Sequence, residues 1–378
     1  MPITPPNPEQ VRFWGLQKLH PFDSCKYEKI VAALTAAGVL DDAMGRSYVE
    51  PPVEASQEQL LAVHTPRYLE TLNSSSVVAG LCEMPPLAIL PNSTLHSKML
   101  QPMRFAVQGT IMAGELALRH GWAINMGGGM HHASADDGGG WCVYADIFLS
   151  LHNVRPKIER RVGRAARAMI VDLDVHQGNG LALDKERFHG GGGGGGKGGG
   201  SRGDGSVYIL DMFNHALWPR DVRLRGVADR AVRVVEGEDD ERYLDDLERA
   251  LRRSFAEFEP DIVYYNAGTD ILAGDPLNGG VCVSRAGVAR RDEMVFDMAL
   301  SRGIPIVMVL SGGYAADSAR SVWESVSNLV DGATGLLRCG TGLGPGAVDY
   351  YGEGGGGEST DEDANGDGAE GGGGETKE

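Results

Sequence analysis

Residues 167–180, RAMIVDLDVHQGNG, pass from an apolar run into alternating acids and a histidine, and then into glycine. The first half reads as a buried strand. If extended backbone persists, Asp172, Asp174 and His176 share one face, because side chains alternate with period two. Two carboxylates this close repel and are costly to desolvate unless a cation or hydrogen-bond donors accompany them. A bound metal resolves that cost, since aspartate and neutral histidine are both zinc ligands, but Asp-x-His alone fills two positions. Taken alone, the stretch fits a capping aspartate and a surface histidine better than a metal site.

The same design recurs outward from this stretch. SVYILDM (206–212), DIVYYNAG (261–268) and IPIVMVLSGGY (304–314) are apolar runs that end in polar residues or glycine. Between and before them lie helical patterns: KYEKIVAALTAA (26–37), RFAVQGTIMAGELALRH (104–120), ERYLDDLERALRRSFAEF (241–258) and RRDEMVFDMALSRG (290–303). Strand–helix alternation at this spacing predicts an α/β fold with a mostly parallel sheet covered on both faces. The crevice beyond the carboxyl ends of such strands is the usual site. WAINMGGGMHHASADDGGGWC (122–142) reads as too rich in glycine for a regular element and too polar for a linker.

That topology offers a third ligand. Asp270 follows an apolar strand in YNAGTDILAGDP, so Asp174, His176 and Asp270 would converge where neighbouring strands end, leaving a position open for water and substrate. His131 and His132 sit in a glycine-rich loop able to aim both rings at one cavity. Amide hydrolysis needs a base for water and an acid for the leaving amine, and imidazole does either. Asp172 is placed to orient one of those rings. Tyr314, after a strand end and two glycines, is a donor for a developing oxyanion.

Composition bounds the rest. A formal charge of −17 over 378 residues argues against nucleic-acid binding through phosphates. No apolar run reaches 18 residues, so no transmembrane segment is expected. The start, MPITPPNPEQ, lacks the pattern of a secretory leader. Cys25, Cys82, Cys142, Cys282 and Cys339 form no CxxC and read as reduced thiols. Residues 1–345 are expected to form one catalytic domain carrying a glycine-rich surface insertion at 190–203. Residues 346–378 form a glycine-rich acidic tail that is expected to be disordered. RPKIERRVGR (155–164) reads as a helix end rather than an import signal, so nucleus and cytoplasm both fit.

In their order, GGGMHHASADDGGGWCVYADI, VDLDVHQGNG, NAGTDILAGDP and LSGGY resemble the zinc-dependent histone deacetylase family over about residues 16–329. KLHPFDSCKY, GTIMAGELAL, HQGNG, VYILDMFN and LWPRD are similar to its class IV branch. The resemblance implies an arginase/deacetylase-like fold with an eight-stranded sheet. It implies Zn2+ on Asp174, His176 and Asp270. It casts His132 as general base and acid, His131 as its helper with Asp172 behind it, and Tyr314 as the carbonyl-polarising group. Gly140, Trp141 and Trp218 match the substrate tunnel, and Asp172, Asp174, His176, Asp211 and Met212 a structural K+ site, partly through backbone oxygen.

The substrate so implied is an acylated lysine of a histone or other protein, acetyl or long-chain fatty acyl, with a corepressor or other protein as a further partner. Small acetylated amines such as polyamines, or a catalytically silent scaffold, are the alternatives. Four features depart from the family pattern. Asn179 replaces a frequent aspartate and predicts a weaker base at His132. Met130 replaces an aromatic and predicts a looser loop. Lys26 stands where arginine is common, and no clean strand precedes Phe13.

Overall fold

The apolar runs form strands, and their carboxyl ends gather at one edge of a single parallel sheet. The computed structural model describes residues 3–4, 25–40, 48–189 and 206–331. The insertion at 190–203, the tail at 346–378 and the domain limit at 345 lie outside the described residues. The strands are β1 (Ile3–Thr4), β2 (Trp122–Asn125), β3 (Ala168–Asp172), β4 (Val207–Asn214), β5 (Arg230–Val234), β6 (Ile262–Asn266) and β7 (Ile306–Val309). Their spatial order is β1-β2-β7-β6-β3-β4-β5, with every pairing parallel.

The expected eight strands are therefore not found. Six strands of four or more residues and a two-residue edge make up the sheet among the described residues. Two of the six escape a search for apolar runs. WAIN is four residues long and runs straight into glycine, and RAVRV alternates because β5 is an edge strand with one face open.

The helices are α1 (Lys26–Ala36), α2 (Gln57–Leu61), α3 (Pro66–Thr71), α4 (Ser75–Leu81), α5 (Asn92–Leu95), α6 (Gln101–His120) and α7 (Asp146–Val162). They continue with α8 (Asn179–His189), α9 (Asp240–Glu257), α10 (Arg285–Leu300) and α11 (Ser318–Asp331). Strand alternation divides the core between the two faces. Ile170, Ile209, Tyr264 and Val307 pack with Val107 and Ile111 of α6 and Phe148 and Val154 of α7. Met169, Val171, Tyr265 and Met308 pack with Leu34 of α1, Leu247 of α9, Phe296 of α10 and Val326 of α11. Truncating a fully buried side chain such as Ile170 or Phe296 to alanine costs about 2–5 kcal/mol. Among the described residues, no helix is long and apolar enough to cross a membrane.

The connections decide where a site forms. From β3 the chain moves outward to β4 and β5, then returns to place β6 on the other side of β3. This reversal opens a crevice at the carboxyl ends of β3 and β6, the place where open α/β sheets bind ligands.

Candidate active site

The strand β3 stops at Asp172, so Asp174 and His176 occupy the turn beyond it instead of one strand face. Alternation therefore does not align them; the neighbouring strand does. Asp172 pairs in register with Asn266, which sets the loop after β6 beside the loop after β3. There the Val175 N–H donates to Asp270 Oδ1 at 2.9 Å, and the His176 N–H to Asp174 Oδ1 at 3.0 Å. Ligand atoms of Asp174, His176 and Asp270 all lie within 4.8 Å of one another, and all three residues are buried. His176 Nδ1 is 3.1 Å from Asp174 Oδ1 and 3.0 Å from Asp270 Oδ2.

Burial and mutual charge perturb all three groups. Burial and the neighbouring Asp174 push Asp270 up to about 7. Burial also opposes ionisation of Asp174, but His131 and His176 hold it well below the usual carboxylate range. On His176, burial is outweighed by the two carboxylates, which raise the imidazole far above its ordinary value. Two carboxylate oxygens and one imidazole nitrogen form a donor set that fits zinc with an open coordination position.

The paired histidines are held from behind. His131 Nδ1 lies 2.8 Å from Asp172 Oδ2, and its Nε2 is 3.5 Å from Asp174 Oδ1. Burial disfavours its cation, but Asp172 and Asp174 win and raise it to about 9. His132 Nδ1 lies 2.7 Å from Asn179 Oδ1. Burial, then His131 and His176, push it well below the imidazole range, and the amide of Asn179 offers too little to reverse this. The two rings stand 4.0 Å apart between centroids with opposite protonation preferences.

The glycines after His176 follow from close approach. A Cβ on Gly180 would lie 2.2 Å from the Ala133 carbonyl oxygen and 2.5 Å from the His132 carbonyl carbon. Gly180 and Leu181 both donate backbone N–H groups to the His131 carbonyl. The turn beyond the ligands therefore clasps the histidine loop backbone to backbone.

Tyr314 follows β7, with its ring centroid 6.3 Å from that of His176. Its phenol is kept protonated, raised well above its ordinary value by burial and then by Asp174 and Asp270. Trp218 is 47% exposed at the mouth and packs edge-on against His132 at 4.6 Å. A Cβ on Gly140 would meet His132 Cδ2 at 2.8 Å and the Trp218 ring at 3.1 Å, and the residue has φ +52°, so both space and backbone favour glycine. Trp141, next to Gly140, is largely buried, and its backbone N–H donates to the Leu81 carbonyl.

Asp211 is the register partner of Asp172 on β4, and Met212 is buried beside it. Burial and then Asp172 raise Asp211 well above the usual carboxylate range. Its Oδ1 is buried without a hydrogen-bond partner. Lys26 donates to the Gly312 carbonyl at 2.9 Å, supporting the strand end before Tyr314.

Several supporting residues carried no signal of their own in the sequence. Asp146, at the start of α7, accepts from Gly129 and Met130 backbone N–H groups at 2.9 and 2.8 Å and so ties down the loop backbone there. Asp275 accepts from the Tyr314 and Ala315 N–H groups at 2.7 and 2.8 Å. Ser311 donates to Asp174 Oδ2 at 2.9 Å, and Asn266 donates to Asp172 Oδ1 at 2.8 Å. Each lies inside a quoted string, in CVYADI, AGDP, LSGGY or YNAG, but its partner is distant in sequence.

A model of the histone deacetylase domain matches residues 20–330. Histone deacetylase 2 of Arabidopsis thaliana is 43% identical over 319 residues, covering 84% of this chain and 76% of that protein. Histone deacetylase 8 of Xenopus tropicalis is 26% identical over 301 residues, covering 76% and 73%. The crystal structure of the HDA15 HD domain shares the fold, with a TM-score of 0.64 at 20% identity over 89% of each chain. With a domain match across most of the chain and a relative this similar over its length, the protein belongs to the histone deacetylase domain family.

Proposed function

We propose that the protein is a zinc-dependent protein lysine deacylase of the class IV branch, removing acetyl or long-chain fatty acyl groups in the cytoplasm or nucleus. The observation that carries this is the convergence of Asp174, His176 and Asp270 with the His131–His132 pair and Tyr314 in one buried crevice. The strings KLHPFDSCKY, HQGNG and LWPRD support the branch. Asp174, His176 and Asp270 would hold the zinc, which supplies Lewis-acid polarisation and a more acidic water.

The chain's own groups divide the remaining work. His132, held neutral by its surroundings, takes the proton of the attacking water and later delivers it to the lysine nitrogen. His131, held cationic by Asp172, steadies developing negative charge beside it. Tyr314 keeps its proton and donates a hydrogen bond to the oxyanion. Trp218 and Gly140 form a narrow wall beside His132 against which an alkyl chain lies. Asp172 and Asp211, with the buried unpaired Oδ1 of Asp211, are suited to K+ together with backbone oxygens nearby.

The test is hydrolysis of one lysine peptide carrying acetyl or myristoyl, by zinc-loaded protein with potassium present. Tyr314→Phe should lower kcat by about 10²–10³-fold, the loss of one oxyanion donor. Turnover of neither peptide, or full turnover by the variant, would overturn the reading. Faster myristoyl release would identify a defatty-acylase, and faster acetyl release a deacetylase.

A further inference from the structure

Arg291 of α10 has the largest fully buried side chain among the described residues, and the chemistry above makes no use of it. Its carboxylate partner is its chain neighbour Asp292, with Nη2 and Nε at 2.8 and 2.9 Å from Oδ1. It also donates to backbone carbonyls, of Leu173 at 3.5 Å, Ala267 at 3.4 Å, and Gly268, with the Tyr243 phenol close by. Leu173 immediately precedes Asp174, and Ala267 and Gly268 lie just before Asp270. One planar guanidinium from the helical layer therefore grips the two loops that carry the three ligand side chains.

A buried cation is expensive to desolvate, and an apolar side chain of similar volume would avoid that cost. What guanidinium offers instead is five N–H donors fixed in one plane, which sets the distance between the carbonyls it joins. Here that distance separates the loop after β3 from the loop after β6. Gly268 transmits the constraint. A Cβ on this residue would lie 2.6 Å from Asp174 Oδ2 and 2.7 Å from Asp174 Cα, so its backbone is already against that ligand. Pulled by Arg291 on one side and stopped by Asp174 on the other, Gly268 has no slack.

The clasp is itself clamped. The Tyr265 hydroxyl and the Ser325 hydroxyl both donate to Asp292, and the guanidinium stands 5.7 Å from the Tyr265 ring centroid. Tyr265 belongs to β6 and Ser325 to α11, so the strand that leads to Asp270 and the next helix both hold the ion pair in place.

We infer that Arg291, locked by Asp292, is a positioning residue for the metal site: it fixes the separation of the Asp174–His176 and Asp270 loops and so sets the affinity for zinc. This rests on reading Asp174, His176 and Asp270 as the zinc ligands. Arg291 touches neither substrate nor metal, so the readout is metal affinity, measured by competition with a chromophoric zinc chelator on full-length protein.

Arg291→Met should weaken zinc binding by about 10–100-fold, the usual effect of losing a group that orients metal ligands. Arg291→Lys keeps the charge but not the fork, and should recover part of the loss. Unfolding midpoints of the metal-free proteins are measured alongside, because a merely structural arginine would lower those while leaving zinc affinity unchanged. If Arg291→Met does not fold, Tyr265→Phe decides. It keeps both charges, removes one clamp on Asp292, and should still weaken zinc binding several-fold. Folded variants that bind zinc as tightly as wild type would overturn the inference. Wild-type protein that takes up no zinc would instead overturn the ligand assignment beneath it.

Discussion

Gly180→Ala tests whether the turn after the metal ligands clasps the histidine loop. The glycine does not have a left-handed backbone, so alanine brings contact strain alone. Its Cβ would stand 2.2 Å from the Ala133 carbonyl oxygen, where ordinary contact begins at 3.4 Å, and the neighbours are backbone atoms that cannot rotate away. Either the histidine loop or the start of α8 must move by about 1 Å. Overpacking of this kind costs about 1–3 kcal/mol. A 1 Å error in a catalytic group lowers rate by up to about 10²-fold. Gly226→Ala is the matched control, because its Cβ meets nothing within 4 Å and its backbone is not left-handed. Thermal unfolding and kcat/KM on an acyl-lysine peptide are measured for both variants with zinc present. The first variant should lose a few degrees of Tm and about one to two orders of magnitude in kcat/KM, and the control neither. If the two variants behave alike, the clasp does not hold His132 and the reasoning fails.

Three further outcomes are expected. Asn179→Asp should place a carboxylate on His132 Nδ1 in place of an amide 2.7 Å away, raising the imidazole and moving the acid limb of the kcat/KM profile upward by about one unit or more; an unmoved limb would exclude His132 as the base. Burial raises Asp184 to about 7 from 3.8 despite the N–H it accepts from Ala135, so folding takes up a proton between those values. Its stabilising contribution is therefore complete at low pH and declines as pH rises to about 7; Asp184→Asn should gain in Tm relative to wild type between about pH 5 and pH 7.5, and a pH-independent difference would refute this. Excess zinc should raise the unfolding midpoint of chelator-treated wild type by an amount that grows with zinc concentration, about 2.7 kcal/mol at 100 times Kd. Asp270→Asn should blunt that response, and identical zinc responses in the two proteins would remove Asp270 from the ligand set.

Much of this protein is written in local sequence. The runs AMIVD, VYILD, IVYYN and IVMV announce buried parallel strands because both their faces meet apolar layers, and the long helices between them follow from their apolar spacing. The presence of carboxylates and imidazoles at strand ends marks a polar crevice for the same reason: an apolar core has no use for them unless they are paired. What stayed hidden was short or one-sided, as with β2 and β5, where length and an open face remove the apolar signal.

The tertiary structure decided everything that depends on distance across the chain. Asp174 and His176 do not share a strand face; the β3–β6 register brings Asp270 to them. Sequence showed two adjacent histidines, but Asp172 and Asp174 raise one while burial, His131 and His176 lower the other, a difference that exists only once burial and charge act at fixed distances. Trp218 was one aromatic among several in the sequence, and only the packing of its loop sets it over His132. Arg291 drew no notice within the helical run RRDEMVFDMALSRG, and only the packing of α10 against the ligand loops makes it a buried clasp. Residue chemistry is local and legible, whereas electrostatics and contact depend on which elements the fold sets side by side.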